Sequence, residues 1–334
     1  MAKFEIASTI KDVNVYELAS KANHRIALDE DEKAIATQIN EWGREIGETG
    51  NDKDHQIAAF VQRVITDQFE NYPVEILDQI FDRGSVGEDV GVEYTTQPKN
   101  TLKAVEAAQG GNVERSFIDI EKLQPTIKNL QIETDLSYAD LRRNAWKSIS
   151  LLSEYAVEAL QNKMFAGVFD TVDAAIASGA ANYIDGSASA KPTQALMDQL
   201  SLYIHDFNEG GSIIALSKYI QAISKLSGYE AYLSEDMKNQ LWRTGDIGMY
   251  DGLLLNRVAT NRYLNGDGVT HLLKDKRIFG VAGKIGTLDM IGDQHTYEVS
   301  DPNSETIHLL IKDFKYSYAF TDAAATKVAK IVLQ

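Results

Sequence analysis

The residue types that most often carry out chemistry are sparse and scattered in this chain. The six histidines lack the spacing that would place two of them on one face of a helix, and the metal-binding motif HExxH is absent (His24, His55, His205, His271, His295 and His308). The chain has no cysteine, which excludes disulfides, thiolate metal sites and cysteine nucleophiles. We therefore predict no metal site.

One glycine-rich segment, Gly280-Val281-Ala282-Gly283-Lys284-Ile285-Gly286, has the lysine and glycines of a phosphate-binding loop. Such a loop needs a Ser or Thr directly after its lysine to bind magnesium, and Ile285 stands there instead. The residues that follow are strand-like, so we predict a glycine-rich strand or β-turn. The G-x-S-x-G motif of serine hydrolases is also absent. The sequence thus predicts no catalytic and no cofactor-binding residue.

Two polar segments could suggest a cation site. Asn265-Gly266-Asp267-Gly268 lacks the alternating ligands and the final Glu of an EF-hand loop, which predicts a plain turn. The run Asp29-Glu30-Asp31-Glu32 fits a solvated helix start, where the helix dipole favours negative charge. Neither segment predicts a binding site.

The composition indicates a folded, acidic protein. Hydrophobic residues make up 44% of the 334 residues, enough to form a core. We expect no transmembrane helix and no secretory signal, since no long apolar run is present. The net charge of −16 argues against sequence-specific binding of nucleic acid, which needs clustered Lys and Arg.

The first half of the chain predicts helices, a ribbon and one long helix. Residues 13–68 have apolar side chains at helical spacing, broken at 47–54, and predict amphipathic helices that bury little surface of their own. A strand is predicted from 73 to about 81. Residues 86–117 are polar and glycine-dotted, and predict a long two-stranded ribbon that needs a neighbouring subunit to lie on. A flexible surface loop is the alternative for this segment.

The strongest local signal is an apolar stripe that runs from 138 towards 178. Its members are three or four residues apart (Tyr138, Leu141, Ala145, Ile149, Leu152, Ala156, Leu160, Met164, Val168 and Val172). Ser137 and Asp140 have the spacing of a capping box. The pattern predicts one unbroken helix, about 50–60 Å long.

The remainder predicts an α/β region followed by β-structure. Helices are expected from Pro192, over 218–226 with Ser217 as the cap, and over 235–243, with strands at 212–216 and 253–259. From Lys276 onward almost every segment predicts a strand (278–282, 288–291, 296–299, 307–312, 314–320 and 328–333). The fold class is therefore α+β.

The joint order of these parts resembles the HK97-like major capsid proteins of tailed bacteriophages. Two segments carry the resemblance. One is 84–143, where ribbon, strands and helix start follow in the family's order. The other is 212–259, where SIIALSKYIQAISKL and RTGDIGMYDGLLLNRVATN are similar to the family's A-domain.

The resemblance implies an HK97-like fold in five parts. They are an N-terminal helical arm (1–72), P-domain strands with the E-loop (73–136, ribbon at about 86–117), a spine helix (137–178), an A-domain (179–275) and C-terminal P-domain strands (276–334). The A-domain tip, which would point at the capsomer centre, is expected near 246–252 or in the loop 186–192.

The implied function is that of a coat protein, not an enzyme. Its copies would assemble as hexamers and pentamers into an icosahedral shell that encloses double-stranded DNA without sequence-specific binding. A separate scaffolding protein, a portal and a decoration protein are implied partners, and the implied location is the virion after synthesis in the host bacterial cytoplasm. Some members of the family cross-link their subunits through Lys and Asn with the help of a Glu. Lys99, Lys103 and Glu106 lie in the ribbon, but a solvated ribbon commonly carries lysines, so we expect no cross-link.

Two other functions remain open from the sequence. An encapsulin nanocompartment uses the same kind of shell subunit around an enzyme, although the long ribbon and the arm favour a phage coat. A cytosolic acidic α+β enzyme or ligand-binding protein would stop at a small closed oligomer. Particle contents and particle size distinguish these functions.

Overall fold

The structure is a computed structural model that describes residues 20–21, 24, 26–50, 55–71, 75–87, 94–95, 122–123, 125–207, 210–226, 235–244, 247–260, 263–264, 268–292, 294–301, 303–320 and 325–334. The chain forms two compact units. The first consists of Met1–Glu75, Lys128–Phe165 and Ile291–Tyr316, and the second of Ile76–Ile127, Ala166–Met290 and Ser317–Gln334. Among the described residues, no helix combines the length and the apolar character that a membrane span requires.

Helices and strands are both abundant, as predicted. The helices are α1 (Glu30–Thr49), α2 (Gln56–Asn71), α3 (Glu75–Ile80), α4 (Tyr138–Ala175), α5 (Gln194–His205), α6 (Ser217–Ile223) and α7 (Glu235–Thr244). The strands are β1 (Phe81–Val86), β2 (Tyr94–Thr95), β3 (Lys122–Leu123), β4 (Thr126–Ser137), β5 (Tyr183–Gly186), β6 (Gly211–Leu216), β7 (Met249–Tyr250), β8 (Leu253–Val258), β9 (Arg277–Ala282), β10 (Gly286–Ile291), β11 (His295–Asp301), β12 (Thr306–Phe320) and β13 (Val328–Leu333).

In the first unit, helices α1 and α2 are packed into the core. Their apolar faces are at most 4% exposed (Ile39, Ile46, Ile57, Phe60, Val61, Val64 and Ile65). The ring of Phe60 meets that of Trp146 edge-on, with 6.2 Å between centroids. The Glu298 carboxylate of β11 accepts a hydrogen bond from the Ala58 N–H in the first turn of α2. The helices were expected to bury little surface of their own, and the burial seen for these side chains comes from packing on α4 and β11.

Helix α1 crosses the start of α4 at close range. A Cβ on Gly43 would collide with the Cβ of Ala145, so only glycine fits this crossing. Beside the crossing, Asn144 has a non-helical backbone (φ −164°, ψ 83°), and the predicted unbroken helix is wrong there. The Asn144 carboxamide accepts from the Lys147 N–H (3.1 Å), and Asn40 of α1 accepts from the Trp146 N–H (2.9 Å). The longer segment of α4 thus begins at 145 with capped N–H groups.

Strand β12 changes its buried face at Asp313. The chain buries Ile307, Leu309 and Ile311 before this point, and Phe314, Tyr316 and Tyr318 after it. Because side chains alternate along a strand, the shift from odd to even positions needs one extra residue. Asp313 supplies it with a left-handed backbone (φ 60°), as in a β-bulge. The two strands predicted at 307–312 and 314–320 are therefore one strand with a bulge.

The second unit contains a six-stranded sheet in the order β5-β13-β9-β6-β8-β7. Helix α5 packs on β9 and β13, and α6 packs on β6 and β8. Strand β6 lies in the sheet interior with five of its six residues buried, as predicted. Ser217 does not cap α6, since that helix begins after Leu216 and the Ser217 hydroxyl donates to the carbonyl of Val258.

The strand predicted from 73 to about 81 is wrong over most of its length. Residues 75–80 form α3, which buries Leu77 and Ile80 three residues apart, and the strand begins only at Phe81. The Lys284 ammonium donates to the carbonyls of Asp78 and Phe81, the latter at 2.6 Å. A cation at the C-terminal end of a helix interacts favourably with the helix dipole. Lys284 lies more than 200 positions from this helix, so local sequence patterns could not predict the contact.

A buried charge cluster joins the end of α4 to the six-stranded sheet. The Asp173 carboxylate, 11% exposed, lies 3.0 Å from Lys274 Nζ, 3.3 Å from Arg277 Nε and 3.1 Å from Lys330 Nζ. Burial alone would raise the pKa of Asp173, but the hydrogen bonds from Lys274 and Lys330 hold the pKa below its usual value. Lys330 is itself only 8% exposed, so each charge depends on its partner.

We expect Gly43→Ala to destabilise the chain by about 2 kcal/mol, because the added methyl group overpacks the crossing with α4. Alanine in an ordinary helix interior would instead stabilise by about 1 kcal/mol. Urea unfolding measures the change. Gly210→Ala is the control, since a Cβ there meets nothing within 4 Å. A Gly43→Ala protein as stable as the wild type would refute the close crossing.

We expect Asp173→Asn to lower the free energy of unfolding by about 3 kcal/mol, because it leaves the buried Lys330 ammonium without its carboxylate. The matched control is Asp170→Asn on the same helix. Asp170 is 59% exposed and pairs with Lys274 at 3.2 Å, so its loss should cost less than about 1 kcal/mol. Equal effects of the two substitutions in urea unfolding would contradict the assignment.

Candidate functional site

Tyr94 lies within the segment predicted as a ribbon, and hydrogen bonds anchor its side chain. Strands β2 and β3 pair antiparallel, with Tyr94 opposite Leu123. Most of the predicted ribbon at 86–117, including Lys99, Lys103 and Glu106, lies outside the described residues. Tyr94 is 8% exposed, and its hydroxyl donates to the Asp289 carboxylate at 2.6 Å. Because this uses the only hydroxyl proton of the tyrosine, Ser317 must be the donor in its own 2.6 Å contact with the Tyr94 oxygen.

The surroundings of Tyr94 keep its hydroxyl protonated. Burial raises the pKa of Tyr94 well above its usual value, and the hydrogen bond to Asp289 raises it further. Asp289 and Ser317 are also buried, and a Cβ on Gly84 of β1 would collide with the Asp289 carboxylate. No local pattern signals this triad, because Asp289 and Ser317 lie 195 and 223 positions from Tyr94.

The hairpin β7–β8 presents an apolar pair to solvent. Met249 and Leu254 face each other across the two strands and are 41% and 48% exposed. The other cross-strand pair, Tyr250 and Leu253, is buried. The two turn residues, Asp251 and Gly252, both have positive φ, as a tight two-residue hairpin turn requires.

Helix α5 holds this hairpin in place through polar contacts. The Ser201 hydroxyl donates to the Asp251 carboxylate, and His205 Nε2 lies 2.8 Å from the Asp251 carbonyl. The Tyr250 hydroxyl donates to Asp198 at 2.8 Å. The exposed apolar pair therefore sits on a rigid support. Met249 and the two turn residues belong to the segment 246–252, one of the two expected tips, whereas Leu254 follows that segment and Asp246 lies outside the described residues.

The second possible tip, the loop 186–192, follows β5. The Ser189 carbonyl accepts a hydrogen bond from the Gln334 N–H, and the Ser187 N–H donates to Asp185. This loop is thus tied to the last residue of the chain.

The glycine-rich segment is a turn between β9 and β10, as predicted. Gly283 has a positive φ of 57°, and Lys284 binds main-chain carbonyls at the end of α3. Its ammonium is therefore directed at the protein's own backbone.

The histidines are dispersed in the structure as well. His308 lies between Asp135 and Asp301, and the hydrogen bond with Asp135 raises the pKa of His308. His271 stacks on the ring of Tyr263. In the part of the chain that the structure describes, no group of three or more His, Asp or Glu side chains could hold a metal ion.

Several solved structures from phages are similar to this chain. Those of Gordonia phage Cozz (TM-score 0.52, 11% identity) and of the mature capsid of bacteriophage PhiM1 (TM-score 0.52, 11% identity) each match over 76% of this chain, and over 84% and 86% of their own. The capsid protein of cyanophage P-SCSP1u matches with a TM-score of 0.50 and 12% identity, over 77% of this chain and 87% of that chain. These likenesses confirm the predicted HK97-like α+β fold.

Among curated protein sequences, none matches this chain. One family model, described as "SPbeta prophage-derived putative capsid protein YonB", matches residues 5–317. That match spans nearly the whole sequence and agrees with the fold, so the chain belongs to the YonB family of prophage-derived capsid proteins.

Proposed function

We propose that this chain is a major capsid protein whose copies assemble as hexamers and pentamers into an icosahedral shell around a double-stranded DNA genome. The family match over 5–317 carries the proposal. The HK97-like fold supports it, because that fold is the one seen in the matching phage capsids. In this proposal the chain has no catalytic role and its location is the virion, after synthesis in the host bacterial cytoplasm.

The parts of the chain take their roles from the family's architecture. We assign the arm to 1–72, the P-domain strands with the E-loop to 73–136, the spine helix to 137–178, the A-domain to 179–275 and the C-terminal P-domain strands to 276–334. In this assignment Tyr94 fixes the point from which the E-loop extends. A scaffolding protein, a portal and a decoration protein complete the particle.

The β7–β8 hairpin is our candidate for the A-domain tip. Exposed Met249 and Leu254 lie on a hairpin that α5 holds rigid, which suits a contact that recurs around a symmetry axis. A closed ring of copies would bring these pairs together and remove their apolar area from water. The acidic net charge of −16 suits a shell wall that does not adhere to its DNA.

The purified chain should form closed polyhedral shells, or tubes of hexamers, in negative-stain electron microscopy. It should be examined both alone and when co-expressed with the neighbouring genes of its native cluster. Double-stranded DNA inside the particles supports a phage coat, whereas an enclosed enzyme would indicate an encapsulin. A small, uniform oligomer under both conditions would contradict the proposal.

The double substitution Met249→Ser and Leu254→Ser should impair assembly without unfolding the chain, because both side chains are substantially exposed in the single chain. We expect the concentration needed for assembly to rise at least about tenfold, as measured by sedimentation velocity. Val269→Ser, which alters a residue that is 76% exposed elsewhere in the second unit, is the control. Unchanged assembly of the double variant would exclude this hairpin as a subunit contact.

A further inference from the structure

A lysine-lined cavity opens on the surface of the second unit. It has a volume of about 330 Å³ and lies between α6 and the 190–191 loop. Three lysines border it, Lys191, Lys218 and Lys225, together with Tyr219 and Gln221. A concentration of ammonium groups around one small cavity is unexpected in a chain with a net charge of −16.

Among the described residues, the lysines that line this cavity outnumber the carboxylates that pair with them. Asp275 accepts hydrogen bonds from Lys218 (2.6 Å) and from the Tyr219 hydroxyl (2.7 Å). Lys191 and Lys225 are exposed, and neither has an ion-pair partner among the residues that the structure describes. Among the residues that the structure describes, three lysines thus line the cavity, and Asp275 pairs with one of them.

Lys218 at the cavity is held by contacts with Asp275 and Tyr219. The Lys218 ammonium lies 4.9 Å above the ring of Tyr219, a cation–π contact that supports the ion pair with Asp275. Burial alone would lower the pKa of Lys218, but the hydrogen bond with Asp275 raises it above the usual value. Lys218 thus stays charged and uses Asp275, so that Lys191 and Lys225 are left to bind another anion.

We propose that this cavity binds an acidic side chain of a neighbouring copy of the same chain. The proposal rests on the proposed assembly into a shell. Each copy carries 49 Asp and Glu residues against 33 Lys and Arg, so every neighbour offers carboxylates. Like-charged copies repel one another, and a positive cavity supplies a local attraction that both strengthens and orients their contact.

The shape of the site favours a protein carboxylate over the phosphates of DNA. A nucleic acid that binds through its backbone needs a groove with cations along its length. Here the cations surround one cavity large enough for one or two side chains. A single exposed ion pair is weak, but neighbouring subunits hold their carboxylates at high effective concentration and the contact repeats in every copy.

Zero-length cross-linking tests the contact directly. A carbodiimide joins a lysine amine to a carboxylate only when the two are in contact, with loss of one water. Shells assembled from an equal mixture of ¹⁴N- and ¹⁵N-labelled chains should give cross-linked peptides that join Lys191 or Lys225 of one isotope to Asp or Glu of the other. Dissociated chains should not give them. Intact shells without such mixed-isotope peptides would overturn the inference.

Charge reversal provides the second test. Lys191→Glu with Lys225→Glu should raise the concentration needed for assembly by about tenfold, whereas Lys191→Arg with Lys225→Arg should assemble like the wild type. The control is Lys33→Glu with Lys163→Glu, which makes the same change in net charge at exposed lysines that do not line the cavity. The effect of the cavity variant should exceed that of the control and should diminish in high salt.

The outcomes separate this inference from the proposed function. If the wild type forms no shells under any condition, the proposed function itself fails. If the wild type forms shells and the cavity variant assembles no worse than the control, only the carboxylate site fails. If the cavity variant closes normal shells but retains less DNA, the lysines bind phosphate and the inference is wrong.

Discussion

Asp173 ties the end of α4 to the six-stranded sheet of the second unit by three ion pairs. It lies near the end of α4 and binds cations from β9, from β13 and from the segment before β9. Strands β13 and β9 pair with each other, and β9 carries β6, β8 and β7 in order. The exposed hairpin β7–β8 is the end of this sheet, and α6, which borders the lysine cavity, packs on β6 and β8. The Asp173 carboxylate, 11% exposed, therefore links α4 to the sheet that carries the surfaces we assign to assembly.

Buried polar groups define the second unit in a way that apolar packing cannot. Asp289 is enclosed with the hydroxyl of Tyr94, and a displaced tyrosine would leave the carboxylate without that donor. An unsatisfied buried carboxylate is costly, so the hydrogen bond from Tyr94 constrains the position of β2. Apolar side chains tolerate small shifts, whereas this hydrogen bond does not.

Assembly of such an acidic chain requires specific attractive contacts. The net charge of −16 keeps separate copies apart, particularly at low salt. In our proposals, the apolar pair Met249 and Leu254 and the lysine cavity supply two different kinds of attraction, of which salt weakens only the second. Contacts of both kinds, each individually weak, suit a shell that must select its geometry before it closes.

The sequence by itself determined the elements whose signals are local. The apolar stripe predicted α4, the alternation predicted β12, and the missing Ser or Thr after Lys284 identified a turn. The order of these elements was sufficient to predict the HK97-like fold. Where a contact between distant segments outweighs a local pattern, the local structure predicted from that pattern is wrong. The helix over 75–80 and the break at Asn144 are the examples.

Only the tertiary structure decided which polar residues act together. Asp173 meets Lys330 across 157 positions, and Tyr94 meets Ser317 across 223. Each of these residues is unremarkable in its own segment, because a periodic pattern records burial and not the identity of a partner. The lysine cavity likewise combines Lys191 with Lys218 and Lys225 from another element. Spacing along the chain specifies helices and strands, whereas a site is specified by the packing that brings separate segments together.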